Sequence, residues 1–500
     1  MENRGERQDR SRVFVSEQTE IRICLDTGPN RDYDVRSLMN GKRAMRMRLG
    51  AKSRTKDMTG GAIVPLLVGF ALPLMLGNAF QMLYNTVDSI IVGNYVSKQA
   101  LAAIGSTTLI VNILVFFFAG FSIGAGVVIG QYFGAGKMED LHRAVETAMT
   151  MAFVLCIVFT AVGILTVDPL LRFMATPEDV FADAGVYLRI YIGGISGLLI
   201  YNMGSGILRA VGDSVRPLQF LILTSILNIV LDLFFILVLH AGIAGAAIAT
   251  ILSQLVSAVL ILRLLTRTQE VYRFSWREMQ VDGPILRNIV AVGLPAAIQS
   301  VITAFSNIFV QSYINFFGSD CMAGWSSYNK LDSFIFLPMQ SMAMSATTFV
   351  SQNIGAGKEK RADQGTLWAV ALSAAVTAVI AALLWLFAPD AVRLFSPDAE
   401  VIRYGVLFIR TNVFFLLCNC INHVLAGALR GRGDSRAPMV IMLATFVGVR
   451  QVYLYVITRF VRNTAKLVGF GYPVGWLCCS VIELSYFFLT QRKRRIRLSA

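Results

Sequence analysis

Long apolar runs separated by short polar loops dominate the chain. They lie near 62–96, 100–131, 144–167, 181–207, 216–239 and 243–265, and again near 284–317, 321–352, 364–388, 400–428, 437–458 and 469–490. A helix needs roughly 20 apolar residues to cross a bilayer, and every run is long enough. The runs are continuous rather than alternating, which excludes a membrane β-barrel. Several exceed the hydrocarbon thickness and are expected to tilt or to extend beyond the lipid. The pattern predicts an all-α polytopic membrane protein with about twelve transmembrane helices.

Composition agrees. Of 500 residues, 55% are hydrophobic and 15% charged, against a usual charged quarter for soluble chains. The net charge of +14 gains meaning from its placement. Lys137, Arg143, Arg209, Arg216, Arg263, Arg267, Arg273, Arg277, Arg287, Lys358, Lys360, Arg361, Arg430, Arg432 and Arg436 fall in one set of loops. The alternate loops are poor in Lys and Arg, and two are acidic, with Asp168, Glu178, Asp179 and Asp183, then Asp390, Asp398 and Glu400. The positive-inside rule therefore puts both termini in the cytosol. Arg459, Arg462 and Lys466 dissent, falling on the outer side. The basic residues bracket membrane spans, so no nucleic-acid partner is expected. The seven Cys lie mostly inside apolar runs without metal-ligand spacing and read as small core residues.

Residues 1–57 carry fourteen Lys/Arg and nine Asp/Glu without an apolar segment. They read as a disordered cytosolic tail or as untranslated, with Met58 the start. An N-terminal lobe (58–265), a basic linker (266–283), a C-terminal lobe (284–490) and a basic tail (491–500) follow.

The second half restates the first. Gly134-Ala-Gly-Lys137 returns as Gly355-Ala-Gly-Lys358 (355 − 134 = 221), and Arg209-Ala-Val-Gly-Asp213 as Arg430-Gly-Arg-Gly-Asp434 (430 − 209 = 221). Pro217 matches Pro438 in the same register, and Leu72-Pro73 matches Leu294-Pro295 at 222. Six helices separate the copies, so both have the same orientation. This predicts two six-helix lobes related by a parallel duplication, an arrangement typical of secondary transporters.

Candidate chemistry sits where the copies differ. Asn78, Gln81, Asn85 and Asp88 step by 3, 4 and 3 along the first helix and share a face. Their counterparts are Ser300, Thr303, Asn307 and Val310. Thr224, Asn228 and Asp232 on helix five become Thr445, Val449 and Tyr453, while helix six adds Thr250, Gln254 and Ser257. Only the N-terminal half keeps the two acids. An ionised Asp at a helix centre costs about 2.5–3.5 kcal/mol on insertion scales, so two in one bundle need a reason. Neighbouring carboxylates cannot easily both ionise, and with Asn and Thr oxygens they also suit Na⁺. The competing reading is two separately hydrogen-bonded structural Asp residues. Lys330, Asp332 and His423 are weaker proton-relay candidates, and Arg450 could pair with Glu483. Arg189 and Arg410 read as snorkelling residues near helix ends, and Gly120–Gly126 as a site of close helix packing. No nucleophile–base pair or metal cluster supports an enzyme.

The segments Phe70–Asn78 and Tyr84–Gly93, the two Gly-Ala-Gly-Lys loops and Leu227-Asn-Ile-Val-Leu-Asp232 resemble the MATE (multidrug and toxic compound extrusion) family over roughly 58–490. The resemblance implies a monomeric exporter in the bacterial inner membrane. It would take cationic, amphipathic compounds in exchange for H⁺ or Na⁺, with no other cofactor or resident metal. It implies cation coupling at Asp88, Asn228, Asp232 and Thr250 and a helix bend at Pro73. Asn78, Gln81, Asn85 and Asn202 would line the substrate cavity. The family's C-lobe acids are not carried over, since Val310 stands where the first acid repeats. A lipid-linked precursor flippase, which would want a strongly basic cavity, and a membrane sensor acting through the tail are the alternatives.

Overall fold

The computed structural model describes residues 55–174 and 176–499, so the tail 1–54 lies outside the described residues. All described regular structure is helical. The N-terminal lobe contains α1 (Ile63–Tyr95), α2 (Lys98–Gly134), α3 (Met138–Phe173), α4 (Glu178–Gly193), α5 (Ile195–Ala210), α6 (Val215–Leu233, prolonged by a π-helical turn to Val238) and α7 (Gly242–Arg267). The C-terminal lobe contains α8 (Gly283–Asn315), α9 (Ser319–Gly355), α10 (Glu359–Leu386), the short α11 (Ala388–Arg393), α12 (Ala399–Asn412) and α13 (Leu416–Gly431). It closes with α14 (Arg436–Met442), α15 (Arg450–Val456), α16 (Ala465–Gly469) and α17 (Gly471–Ser499). The fourth expected span is thus two helices, bent by 45° between Gly193 and Ile195. The eleventh is interrupted by π-helical turns at Leu443–Val449 and Ile457–Val461.

Ten described helices are apolar enough to cross a membrane, or eleven with the bent pair. The eighth expected span, α9, is 37 residues long but carries Lys330, Asp332 and many Ser and Asn residues. In its second half Ser341, Ser345, Ser351, Gln352 and Asn353 are all buried by protein, while Lys330 is exposed, so it falls short on apolarity and not on length.

The duplication is conformational as well as sequential. Gly136 and Gly357 share φ of 68° and 69°, and Gly212 and Gly433 share 84° and 88°, left-handed values that favour glycine. Asp213 and Asp434 then cap the next helices, their Oδ1 atoms accepting from the Arg216 and Ala437 amides at 3.1 and 3.2 Å. The repeated motifs are therefore turns, all at one end of the bundle.

The lobes meet along a seam with the same pseudo-symmetry. The first half of α1, through Leu67, Phe70, Ala71 and Leu74, packs against Met342, Ala346, Phe349, Ala369 and Val424 of the C-lobe. Farther along, Gly77 abuts Leu218 and Leu221 of α6, and Ile91 and Val92 join an N-lobe core. In mirror fashion, Ile285 and Ile289 of α8 join an N-lobe core, whereas Val310 and Ile314 join the C-lobe core. Each repeat's first helix begins on the other lobe and ends on its own. Pro73 and Pro295 stand near the crossover inside helices that remain continuous here.

Glycines allow the backbones to touch, as the Gly120–Gly126 stretch predicted. A Cβ on Gly120 would lie 2.6 Å from the Ala297 amide nitrogen, and one on Gly124 would lie 2.7 Å from the Gly293 nitrogen. At the turn-bearing end, Gln131 Nε2 donates to the Gly431 carbonyl at 3.1 Å and Gln352 Nε2 to the Ala210 carbonyl at 2.8 Å. Both donors and both acceptors are 221 residues apart, so one latch is made twice. Gln352 Oε1 also accepts from the Met58 amide at 2.8 Å, and Lys56 N donates to the Val211 carbonyl at 3.2 Å. Residues 55–61, three of which fall in the segment expected as tail, thus bind both lobes. The linker is pinned too, with Tyr272 and Phe274 buried.

Gly124→Ala is expected to lower the thermal unfolding midpoint in detergent, overpacking typically costing about 1–3 kcal/mol. Gly105→Ala, with nothing within 4 Å of the added carbon, is expected to be neutral or stabilising. Gln352→Ala should raise maleimide labelling of a cysteine placed at Ser351, which is fully buried beside Gly130 in the seam; unchanged labelling would show that the latch does not hold it shut.

Candidate cation and substrate site

The two N-lobe acids come together. Asp88 projects from α1 and Asp232 from α6, and their carboxyl groups are near enough to interact electrostatically. Helix packing accounts for this, because α1 beyond Pro73 lies along α6. Asn228 is one turn before Asp232 on the same face. Asp232 and Asn228 are 0% and 2% exposed. Neither Asp232 oxygen has a hydrogen-bond partner, nor does the amide oxygen or nitrogen of Asn228. Asp88 Oδ1, Ser225 Oγ, Gln254 Oε1 and Asn78 Nδ2 are also buried without partners. Native proteins satisfy the great majority of such groups, so this concentration of orphaned atoms is chemically unusual.

The other expected site residues divide. Thr250 lies on α7 with its hydroxyl donating to its own helix, to the Ala246 carbonyl at 3.0 Å. Deeper on that helix, Ser257 Oγ donates to Thr224 Oγ1 at 2.8 Å and ties α7 to α6. Along α1, Asn78 and Gln81 are half-buried and Asn85 is exposed. Asn202 stands apart from the acids. Its Nδ2 donates to the Leu198 carbonyl at 2.9 Å, and its own carbonyl accepts from Ser122 at 2.6 Å, within the core nearer the turn-bearing end.

Sequence reading missed the tyrosines. Tyr187 of α4 lies within electrostatic reach of Asp88, Asp232, Tyr84 and Tyr191, and its ring stacks with that of Tyr191 at 6.2 Å. The i, i+4 spacing of Tyr187 and Tyr191, which puts both rings on one face of α4, was the available signal.

The C-lobe carries a different set. Glu483 is 0% exposed with both carboxylate oxygens unpartnered. Its charged neighbour is Arg430, not Arg450 as expected. Arg450 instead lies over the Tyr472 ring at 4.9 Å and donates to Ser306 at 2.5 Å. Lys330 sits over Phe395, Asp332 lies beside Tyr328 and Tyr472, and His423 packs edge-on against Phe336. Arg189 is bound to Asp168 at 2.6 Å. Near the linker, His142, Glu146 and Glu278 bring ligand-type atoms within 4.8 Å of one another. Glu146 there accepts from the Ser275 amide at 2.8 Å and fastens the linker to α3.

Duplicated six-helix repeats, a latched seam and a buried acid pair in one lobe define a polytopic membrane transporter. The MatE family profile matches residues 73–234 and 295–456, two segments offset by 295 − 73 = 222, and the chain belongs to that family, whose members are transporters and not enzymes. It is 30% identical over 437 residues to the probable multidrug resistance protein YpnP of Bacillus subtilis, covering 86% of this chain and 96% of that one. It is 25% identical over 364 residues to an FAD transporter of Shewanella oneidensis, covering 71% and 80%. A MOP superfamily transporter from Pyrococcus furiosus has the same fold, with a TM-score of 0.83 at 24% identity, covering 90% of this chain and 100% of its own.

If the acids were structural anchors, removing a charge would destabilise the lobe. The orphaned oxygens predict the reverse for Asp232→Asn, because an unpaired buried charge costs free energy. Its thermal unfolding midpoint in detergent should equal or exceed that of the parent protein, and a fall of several degrees would identify Asp232 as a structural anchor.

Proposed function

We propose that the protein exports small cationic, amphipathic compounds across the bacterial inner membrane in exchange for H⁺ or Na⁺, and that Asp88 and Asp232 carry the coupling ion. The observation that carries this reading is the acid pair with its orphaned oxygens, present in one lobe and replaced by Val310 and Tyr453 in the other. The multidrug-resistance names of relatives such as YpnP support the export of toxic compounds. Positive-inside charge supports a cytosolic location for the turn-bearing end and both termini. The acid pair then lies in the outer half of the membrane, where an ion from outside reaches it.

In this reading the cation neutralises Asp88 and Asp232 and takes up the oxygens of Asn228 and its neighbours. Asn78, Gln81 and Asn85 line the path of the substrate along α1, and Asn202, being distant from the acids, would contact it only on the inner side. A rearrangement of α1 at Pro73 lowers affinity for the substrate, which leaves outward. The lobes then part at the latched seam and the ion is released to the cytosol. An inward potential contributes about 2.3 kcal/mol per charge per 100 mV.

The test is efflux of a fluorescent cationic dye from proteoliposomes under a pH gradient or a Na⁺ gradient imposed separately. One gradient should drive export, and Asp232→Asn and Asp88→Asn should reduce it to the level of protein-free vesicles with insertion intact. Cation-driven export retained in either variant would overturn the assignment.

A further inference from the structure

A cleft of about 560 Å³ opens in the C-lobe, away from the acid pair and toward the end opposite the glycine turns. One wall is a single stripe of α12 and the turn after it, running Arg403, Leu407, Arg410 and Phe414 at helical spacing. Lys466 of α16 and Phe470 form the facing wall. Charge is therefore graded along this wall, with Arg403 nearest the start of α12, Arg410 about two turns further along, and Phe414 and Phe415 about one turn beyond it.

The cations are unequally compensated. Arg403 is held by Glu400 at 2.7 Å. Among the described residues no carboxylate lies within 4.0 Å of the Arg410 or Lys466 nitrogens, and the Arg410 guanidinium rests over the Trp385 ring at 5.7 Å. Trp385 is itself 41% exposed, and Phe414 59%. The surroundings are thus lipid-facing aromatic surface at a helix end, where Trp rings mark the membrane interface. Lys466 also belongs to the loop whose basic residues break the charge asymmetry of every other loop.

We propose that this cleft is a binding site for one anionic phospholipid, its phosphate held between Arg410 and Lys466 and its acyl chains lying over Phe414 and Phe415. Guanidinium and ammonium groups with no carboxylate partner supply the charge for a phosphate, and basic pockets between membrane helices take anionic head groups. The change from basic to aromatic side chains along the wall fits an amphipath better than a free anion, which would make no use of the two Phe rings. The dissenting basic loop is accounted for as a lipid contact. Because α12 and α16 carry none of the proposed coupling residues, this inference is independent of the ion and the substrate.

The experiment is native mass spectrometry of the whole protein, titrated in detergent with dioleoyl phosphatidylglycerol or dioleoyl phosphatidylcholine, and separately with inorganic phosphate. The variants are Arg410→Gln with Lys466→Gln, and a control, Arg393→Gln, which is exposed and paired with Asp390 at the same end of the lobe but does not line the cleft. All replaced side chains are exposed, and an unchanged thermal midpoint confirms folding. One phosphatidylglycerol should be retained in preference to phosphatidylcholine. Affinity should fall roughly twenty-five-fold in the double variant, each basic side chain contributing about fivefold, and stay unchanged in the control. Equal retention of both lipids, or equal phosphatidylglycerol affinity in the double variant, would overturn the proposal. Phosphate binding with the same dependence on Arg410 and Lys466, without phosphatidylglycerol binding, would overturn the lipid as the occupant.

Discussion

The crossing of α1 from one lobe to the other is the constraint on which the rest of the structure depends. Below Pro73 the helix is buried by the C-lobe, and above it by α6 of its own lobe. Proline removes a backbone donor and weakens a helix where it stands. The helix is thus weakest near its change of neighbours, between Ser345, whose hydroxyl donates to the Leu67 carbonyl at 2.9 Å, and Asp88 beside Asp232. Any change in charge at the acids acts on a rod whose other end lies in the seam. The mirror helix α8 makes the same crossing past Pro295 but carries Val310 where α1 carries Asp88. Two mechanically equivalent rods are present, and only one bears a charge at the corresponding position.

The seam is firm because backbone meets backbone. Gly120 and Gly124 admit α8 to contact distance, and at the turn-bearing end Gly134 lies against the Gln352 carbonyl while Gly355 lies against that of Gln131. The two Gln latches add direct hydrogen bonds of modest net strength, about 0.5–1.5 kcal/mol each. Such a surface closes tightly yet stores little energy in any one bond, which suits the proposed parting and re-forming of the lobes.

Much of this architecture was legible in the sequence, since hydropathy and the 221-residue register are local properties that survive without structural knowledge. The spans and the lobes follow from them, and the glycines of Gly120–Gly126 marked the close packing found there. What the sequence hid was partnership. Nothing in the spacing of Arg450, Arg430 and Glu483 says which Arg approaches Glu483, because that depends on how α17 rotates against α13. Tyr187 escaped notice as a neighbour of the acids for the same reason, since only the packing of α4 within the lobe brings it within reach of Asp88 and Asp232. The span at 321–352 was expected as one more apolar run, and what the sequence did not show is that neighbouring helices bury the polar residues of its second half.

The most direct test reads the seam while the acid pair is titrated. A cysteine at Ser351, in a chain stripped of its native cysteines, reports by maleimide labelling rate as H⁺ or Na⁺ is varied. The account predicts that the rate changes with the coupling ion in the parent protein and becomes insensitive to it in Asp88→Asn. A seam that responds identically with and without the Asp88 charge would contradict the claim that the acid pair governs how the lobes meet.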